Sequence, residues 1–207
     1  MTVLTSAIEN NFVVITRNDA SYNNFREFLE YIKTTKQKIN YGTNGLQSML
    51  WSEKLIQLAG SIDAQAIEYK GEKEVLIDIM NGILEFGIFG TSGSAQLVNE
   101  KRLKYIAIGG NKTDPKWPNV ELISNYVSIK MTGFQLIVGP KGMSDETIIW
   151  LNKILTIALN SPETKDNLEN RGNIVVAENL DLSRKLDKEH FTDRRNLFLE
   201  FSQKINK

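Results

Sequence analysis

The chain has 207 residues, enough for one domain or two small lobes, and its 41% hydrophobic and 24% charged residues are ordinary for a protein that packs a core. Lys plus Arg equal Asp plus Glu at 25 each, which argues against an extended nucleic-acid footprint or a polybasic membrane surface. With no Cys, disulfides, thiolate metal sites and cysteine nucleophiles are excluded.

Residues 12–16 read as a buried strand and residues 22–35 as a helix, with Phe25, Phe28, Leu29 and Ile32 at inward spacing and Ser21 as N-cap. A short strand over 38–41 precedes a helix over 47–59, whose Leu50, Trp51, Leu55 and Leu58 recur every three or four residues. Strands follow at 65–68, 84–89 and 105–108, with a short amphipathic segment ending at Gly82 between the first two. The stretch 109–118 holds two Gly, two Pro, Asn and Asp and marks a change of lobe. Beyond it come a strand at 134–138, helices at 144–159 and 162–171, a short strand at 174–177 and a long helix over 180–205. The first of these helices carries Ile148, Leu151, Ile154, Leu155 and Ala158 on its expected buried face. Asn152 and Lys153 interrupt it well short of the ~20 apolar residues of a membrane span. In the last helix Leu182, Leu186, Leu197, Phe201 and Ile205 share one side. Strands alternating with helices predict an α/β fold with largely parallel sheets.

A strand, a tight turn and a helix in succession leave free N–H groups and the positive end of the helix dipole at the turn, a natural seat for a carboxylate. Three places qualify: residues 42–48, 69–72 and 90–94. Small polar residues there also serve simply as caps, since Ser, Thr and Gly satisfy orphan N–H groups in any helix. Other chemistry is poorly supported. His190, the only histidine, lies between Glu189 and Phe191 with no nucleophile motif and reads as a surface residue. Residues 90–94, Gly-Thr-Ser-Gly-Ser, lack the second Gly of a nucleophile elbow at the required place. No phosphate loop, dinucleotide fingerprint or His-Glu-x-x-His occurs, and no cofactor is expected. Lys101, Arg102 and Lys104 read as a solvated strand edge, and Trp51, Trp117 and Trp150 as core or lobe-edge packing.

Several short motifs stand in a telling order. Tyr41-Gly42-Thr43 follows a strand, Leu58-Ala59-Gly60 closes a helix, Tyr69-Lys70-Gly71 precedes a segment ending in Asn81-Gly82, and residues 90–94 precede Arg102-Leu103-Lys104-Tyr105-Ile106-Ala107. Pro118-Asn119-Val120 and the run GFQLIVGPKGM at 133–143 come next. That ordered set resembles the substrate receptors of tripartite tricarboxylate transporters, the Bug family. The resemblance covers nearly the whole chain and starts near the family's crossover strand into its second lobe. The family's signal peptide and first half-lobe have no counterpart here, and residues 1–9 lack the features of an export signal.

The resemblance implies a periplasmic binding protein type II-like α/β fold, with one complete lobe over residues 15–110 and an incomplete second lobe from 1–14 and 111–207. It implies a non-enzymatic solute receptor that closes over a di- or tricarboxylate and delivers it to transporter membrane subunits from the periplasm. Gly42, Thr43, Ser48, Gly90, Thr91 and Ser92 are the implied ligand residues, with Tyr69 and Lys70 orienting their turn by packing. Leu46 and Gln47 fall where the family usually has a Ser-Ser pair, and Phe89 where many members carry Asp. A degenerate remnant without ligand therefore stands as the alternative, and an α/β esterase or transferase as a more distant one. Apolar faces left uncovered by the missing half-lobe lead to an expectation of self-association.

Overall fold

Strand β1 (Thr2–Arg17) is 16 residues long, more than three times the stretch its central apolar run suggests. Residues 2–11 hide from a pattern-based reading because Thr5, Ser6 and Asn11 are polar yet buried. Their backbone groups are taken up by neighbours, as where Ser6 N donates to Ser183 Oγ at 3.1 Å. The computed structural model describes residues 1–60, 62–110, 113–127 and 131–205. It divides into two compact units, Asn11–Thr132 and a second made of Met1–Asn10 with Gly133–Lys207.

The larger unit contains α1 (Phe25–Thr34), β2 (Ile39–Thr43), α2 (Leu46–Leu58), β3 (Ala64–Glu68), α3 (Glu72–Met80), β4 (Phe86–Gly90), α4 (Thr91–Asn99), β5 (Leu103–Ile108) and β6 (Glu121–Leu122). Its strands lie in the order β3-β2-β4-β1-β5-β6. β2 pairs in parallel with β3 and β4, and β5 with β6, whereas β1 runs antiparallel to β4 and β5. The carboxyl ends of β2, β3 and β4 therefore fall at one edge of the sheet.

Alternation along the strands builds two cores. Val13 and Ile15 of β1 pack on one face with Val75, Leu76 and Ile79 of α3, Phe89 of β4 and Tyr105 of β5. On the other face Phe86 stacks on Tyr41 at 5.3 Å and meets Phe28 edge-on at 5.4 Å. Each such fully buried side chain contributes about 1.5–3 kcal/mol. The segment after β5 returns to this unit: β6 pairs with β5, and Trp117 meets Tyr105 edge-on at 4.9 Å. The N-cap of α1 is Asn24, whose backbone is extended and whose Oδ1 accepts from Glu27 N at 2.9 Å, and not Ser21, because the helix begins only at Phe25. Lys104 is no free edge charge either, since its Nζ donates to Ala20 O at 2.8 Å and lies over the Tyr22 ring.

In the smaller unit, β7 (Thr132–Gly139) and β8 (Asn173–Val175) both pair with β1, and α5 (Asp145–Leu159), α6 (Pro162–Asn170) and α7 (Leu180–Ile205) complete it. The buried face of α5 is rotated from the expected one. Ile148 and Asn152 are buried, whereas Ile154 is 42% exposed and Ala158 is exposed. Asn152 explains the rotation: its Nδ2 donates to Leu4 O at 2.8 Å and Glu178 O at 3.2 Å, a polar anchor that hydrophobic spacing cannot register. Trp150 is left 59% exposed rather than packed. His190 is buried, contrary to its charged sequence surroundings, with its ring stacked 4.0 Å from that of Phe134. The inner stripe of α7 runs through Ser183 and His190, seven residues apart, one position from the Leu182 register. The side chains of Phe201 and Ile205, placed on that stripe by spacing, lie outside the described residues.

Candidate functional site

Three helices begin where β2, β3 and β4 end. Their N-caps are Gly45 for α2, Gly71 for α3 and Gly90 for α4, and none provides a side-chain capping bond. In α1 and α5, by contrast, Asn24 and Ser144 side chains accept from the first turn. A glycine cap leaves first-turn N–H groups open and lets a ligand approach the backbone closely. Grouped at the carboxyl ends of neighbouring parallel strands, such termini form the anion-binding arrangement of open α/β sheets.

The residues singled out from sequence occupy this edge in different ways. Thr43 closes β2 and is buried, and its carbonyl accepts from Tyr69 N at 2.8 Å, which ties the 69–72 turn to the end of β2. Gly42 is a packing glycine, since a Cβ there would fall 2.3 Å from Val75 Cγ1 and 2.8 Å from Leu84 Cδ1. Ser48 is buried and its hydroxyl is committed locally, accepting from Asn44 N at 3.1 Å and donating to Gly45 O at 3.0 Å. It holds the turn ahead of α2 in shape. Gly90 and Thr91 are buried at the start of α4, and Ser92 is exposed. Tyr105 Oη donates to Thr91 O at 3.3 Å and shares a 2.9 Å hydrogen bond with Ser94 Oγ, which fixes the first turn of α4 onto β5. Tyr69 orients its own turn by donating to Asp78 Oδ2 at 2.5 Å. Phe89 is 2% exposed and belongs to the core of the α3/α4 face.

Two polar atoms at this edge have no hydrogen-bond partner despite burial: Gln47 Nε2 in the first turn of α2 and Glu72 Oε1 in the first turn of α3. Burial alone pushes the Glu72 carboxyl up to about 7 from its ordinary 4.5. A Cβ on Gly93 would sit 2.3 Å from Glu72 Oε1, so Gly93 is what lets that carboxyl lie against the start of α4. In the sequence, Glu72 reads as an acidic residue favourably placed at a helix N-terminus. Its enclosure by a second helix about twenty positions on has no local signature.

Among the described residues no cluster of three or more His, Asp or Glu could hold a metal ion. No described helix is long and apolar enough to cross a membrane. Residues 1–200 match the family model described as the tripartite tricarboxylate transporter family receptor. A search of curated protein sequences finds no match. Similar solved structures include an adipate-bound protein of R. palustris, with a TM-score of 0.84 and 16% identity over 95% of this chain and 67% of that one. MatC from Rhodopseudomonas palustris with bound malate gives a TM-score of 0.80 and 16% identity over 95% of this chain and 69% of that one. The periplasmic binding protein BugD gives 0.78 and 21% over 90% of this chain and 64% of that one. The chain thus spans about two thirds of the length of these structures and shares their fold, an α/β periplasmic binding protein fold with one lobe partial.

Proposed function

The chain belongs to the tripartite tricarboxylate transporter receptor family, and from that premise we propose that it binds a small di- or tricarboxylate at the edge where β2, β3 and β4 end. One observation carries the reading: three adjacent helices open at that edge with glycine caps and no side chain of their own in the capping position. Backbone N–H groups of the 42–48 and 90–94 segments are the carboxylate donors. Thr43, Thr91 and Ser92 add hydroxyls, while Gly42, Ser48 and Gly90 shape the two turns. The adipate and malate named for two structural neighbours support this ligand class. Delivery to transporter membrane subunits in the periplasm is the role the family suggests for the bound form. Self-association through α5, where Ile149, Trp150, Ile154 and Ile157 are each 42% or more exposed, is part of the same proposal.

A thermal-shift series with malate, adipate and citrate tests the site. A ligand at 100 times its dissociation constant stabilises by about 2.7 kcal/mol, so millimolar acid should raise the melting temperature measurably. Thr91→Ala and Ser92→Ala should each reduce the shift, a lost hydrogen bond costing about 0.5–1.5 kcal/mol. No shift with any of the acids favours the second reading, a remnant without ligand. Phe89 in the core and Ser48 spent on its own turn are the observations on its side.

A further inference from the structure

Glu72 stands apart from the other acidic residues of this edge. The neighbouring acid, Glu74, turns back over the N-cap of its own helix, where a Cβ on Gly71 would lie 2.9 Å from Glu74 Oε2. Glu72 is directed instead at the first turn of α4, where its Oε1 would meet a Cβ on Gly93. Its Oε1 is shut in against Gly93 without a hydrogen-bond donor. Residues 91–94 of α4 contribute no ionisable group. From β5 the facing group is the Tyr105 phenol, itself pushed up by burial, with Glu72 and Asp114 adding to the rise. On α3 itself, Lys73 and Glu74 are exposed. Burial is the cause of the rise in the Glu72 carboxyl.

Resting on the carboxylate site proposed above, we infer that Glu72 is a proton-linked selector, neutral when an acidic ligand occupies the first turn of α4 and repelling that ligand when ionised. Two like charges sharing one helix terminus disfavour each other, so one must be relieved. The ligand stays charged through its exchange with water, and Glu72, already enclosed, is the group that takes up the proton. By linkage, ligand binding must then raise the proton affinity of Glu72 to the same degree that protonation raises ligand affinity.

Isothermal titration of the full chain with malate, from about pH 6 to about pH 8.5 in phosphate and in Tris, reads both sides of this linkage. A carboxylic acid of ordinary pKa is ionised over that whole range, so the ligand itself contributes no titration. The wild type should bind malate about tenfold more weakly at the upper end, the scale of repulsion between partly screened charges at short range. Binding near pH 7 should take up a fraction of a proton. Glu72→Gln should bind with an affinity independent of pH and without proton uptake. A carbon-13 titration of the Glu72 carboxyl in the wild type gives a readout independent of the variant, its midpoint rising when malate is added. Equal pH slopes in wild type and Glu72→Gln overturn the inference, as does a midpoint unmoved by malate. Proton release on malate binding overturns it as well. Failure of the wild type to bind any acid at any pH removes the site and this inference together, whereas pH-independent binding removes the inference alone.

Discussion

The enclosed carboxyl of Glu72 makes stability depend on pH in a direction opposite to that of a salt-bridged acid. The native state holds its proton up to about pH 7, while the unfolded chain releases it near the ordinary 4.5. Between those values the native state binds more protons, so stability falls as pH rises and levels off above about 7. The gap corresponds to at most about 3 kcal/mol at 1.36 kcal/mol per pH unit. That is a substantial part of the 5–15 kcal/mol that a domain of this kind typically possesses. Glu72→Gln keeps the shape and removes the titration, leaving an unpaired polar group at every pH. Its stability relative to the wild type should therefore grow by about 2–3 kcal/mol between pH 5 and pH 8. Urea denaturation at pH 5, 6.5 and 8 measures this difference, with the denaturant slope checked for constancy. Parallel pH profiles for the two proteins would refute the reasoning, because they would mean that Glu72 is solvated and ionised in the native state.

Asn152→Ala should cost about 1–3 kcal/mol by chemical denaturation, since it removes the buried amide bond to Leu4 O and one of the donors to Glu178 O. Gly42→Ala should destabilise by about 1–3 kcal/mol, because the new methyl must displace Val75 and Leu84 of a closed core. Val75→Ala in that background should recover part of the loss, as a double-mutant cycle would show. Trp150→Glu combined with Ile157→Glu should shift sedimentation toward monomer while leaving far-ultraviolet circular dichroism unchanged, as both side chains are about three-fifths exposed. A wild type that is already monomeric at high concentration removes the self-association proposal.

Much of this protein is legible in its sequence. Local hydrophobic period places α1, α2, α5, α6 and α7 and the strands other than β1 and β6 to within a few residues, because burial on one face leaves a periodic trace. Phe25, Phe28 and Ile32 on α1 show it, as do Leu50, Trp51 and Leu55 on α2. The strand-turn-helix order likewise points to 42–48, 69–72 and 90–94 as candidate seats for an anion, since a helix start is an electrostatic feature of the backbone. Tertiary structure decided what periodicity cannot encode. β1 extends to Thr2 because distant Ser183 and Asn152 satisfy its backbone groups, and polar residues in such a strand read locally as loop. His190 is buried because Phe134 stacks on it from another element. At the site, the sequence supplies candidate hydroxyls without saying which are already engaged. Ser48 is spent on Asn44 and Gly45, and Glu72 is enclosed by a glycine of the next helix along the edge. Hydrogen-bond satisfaction and desolvation depend on which groups meet across the fold, and only the assembled sheet with its helices brings those groups together.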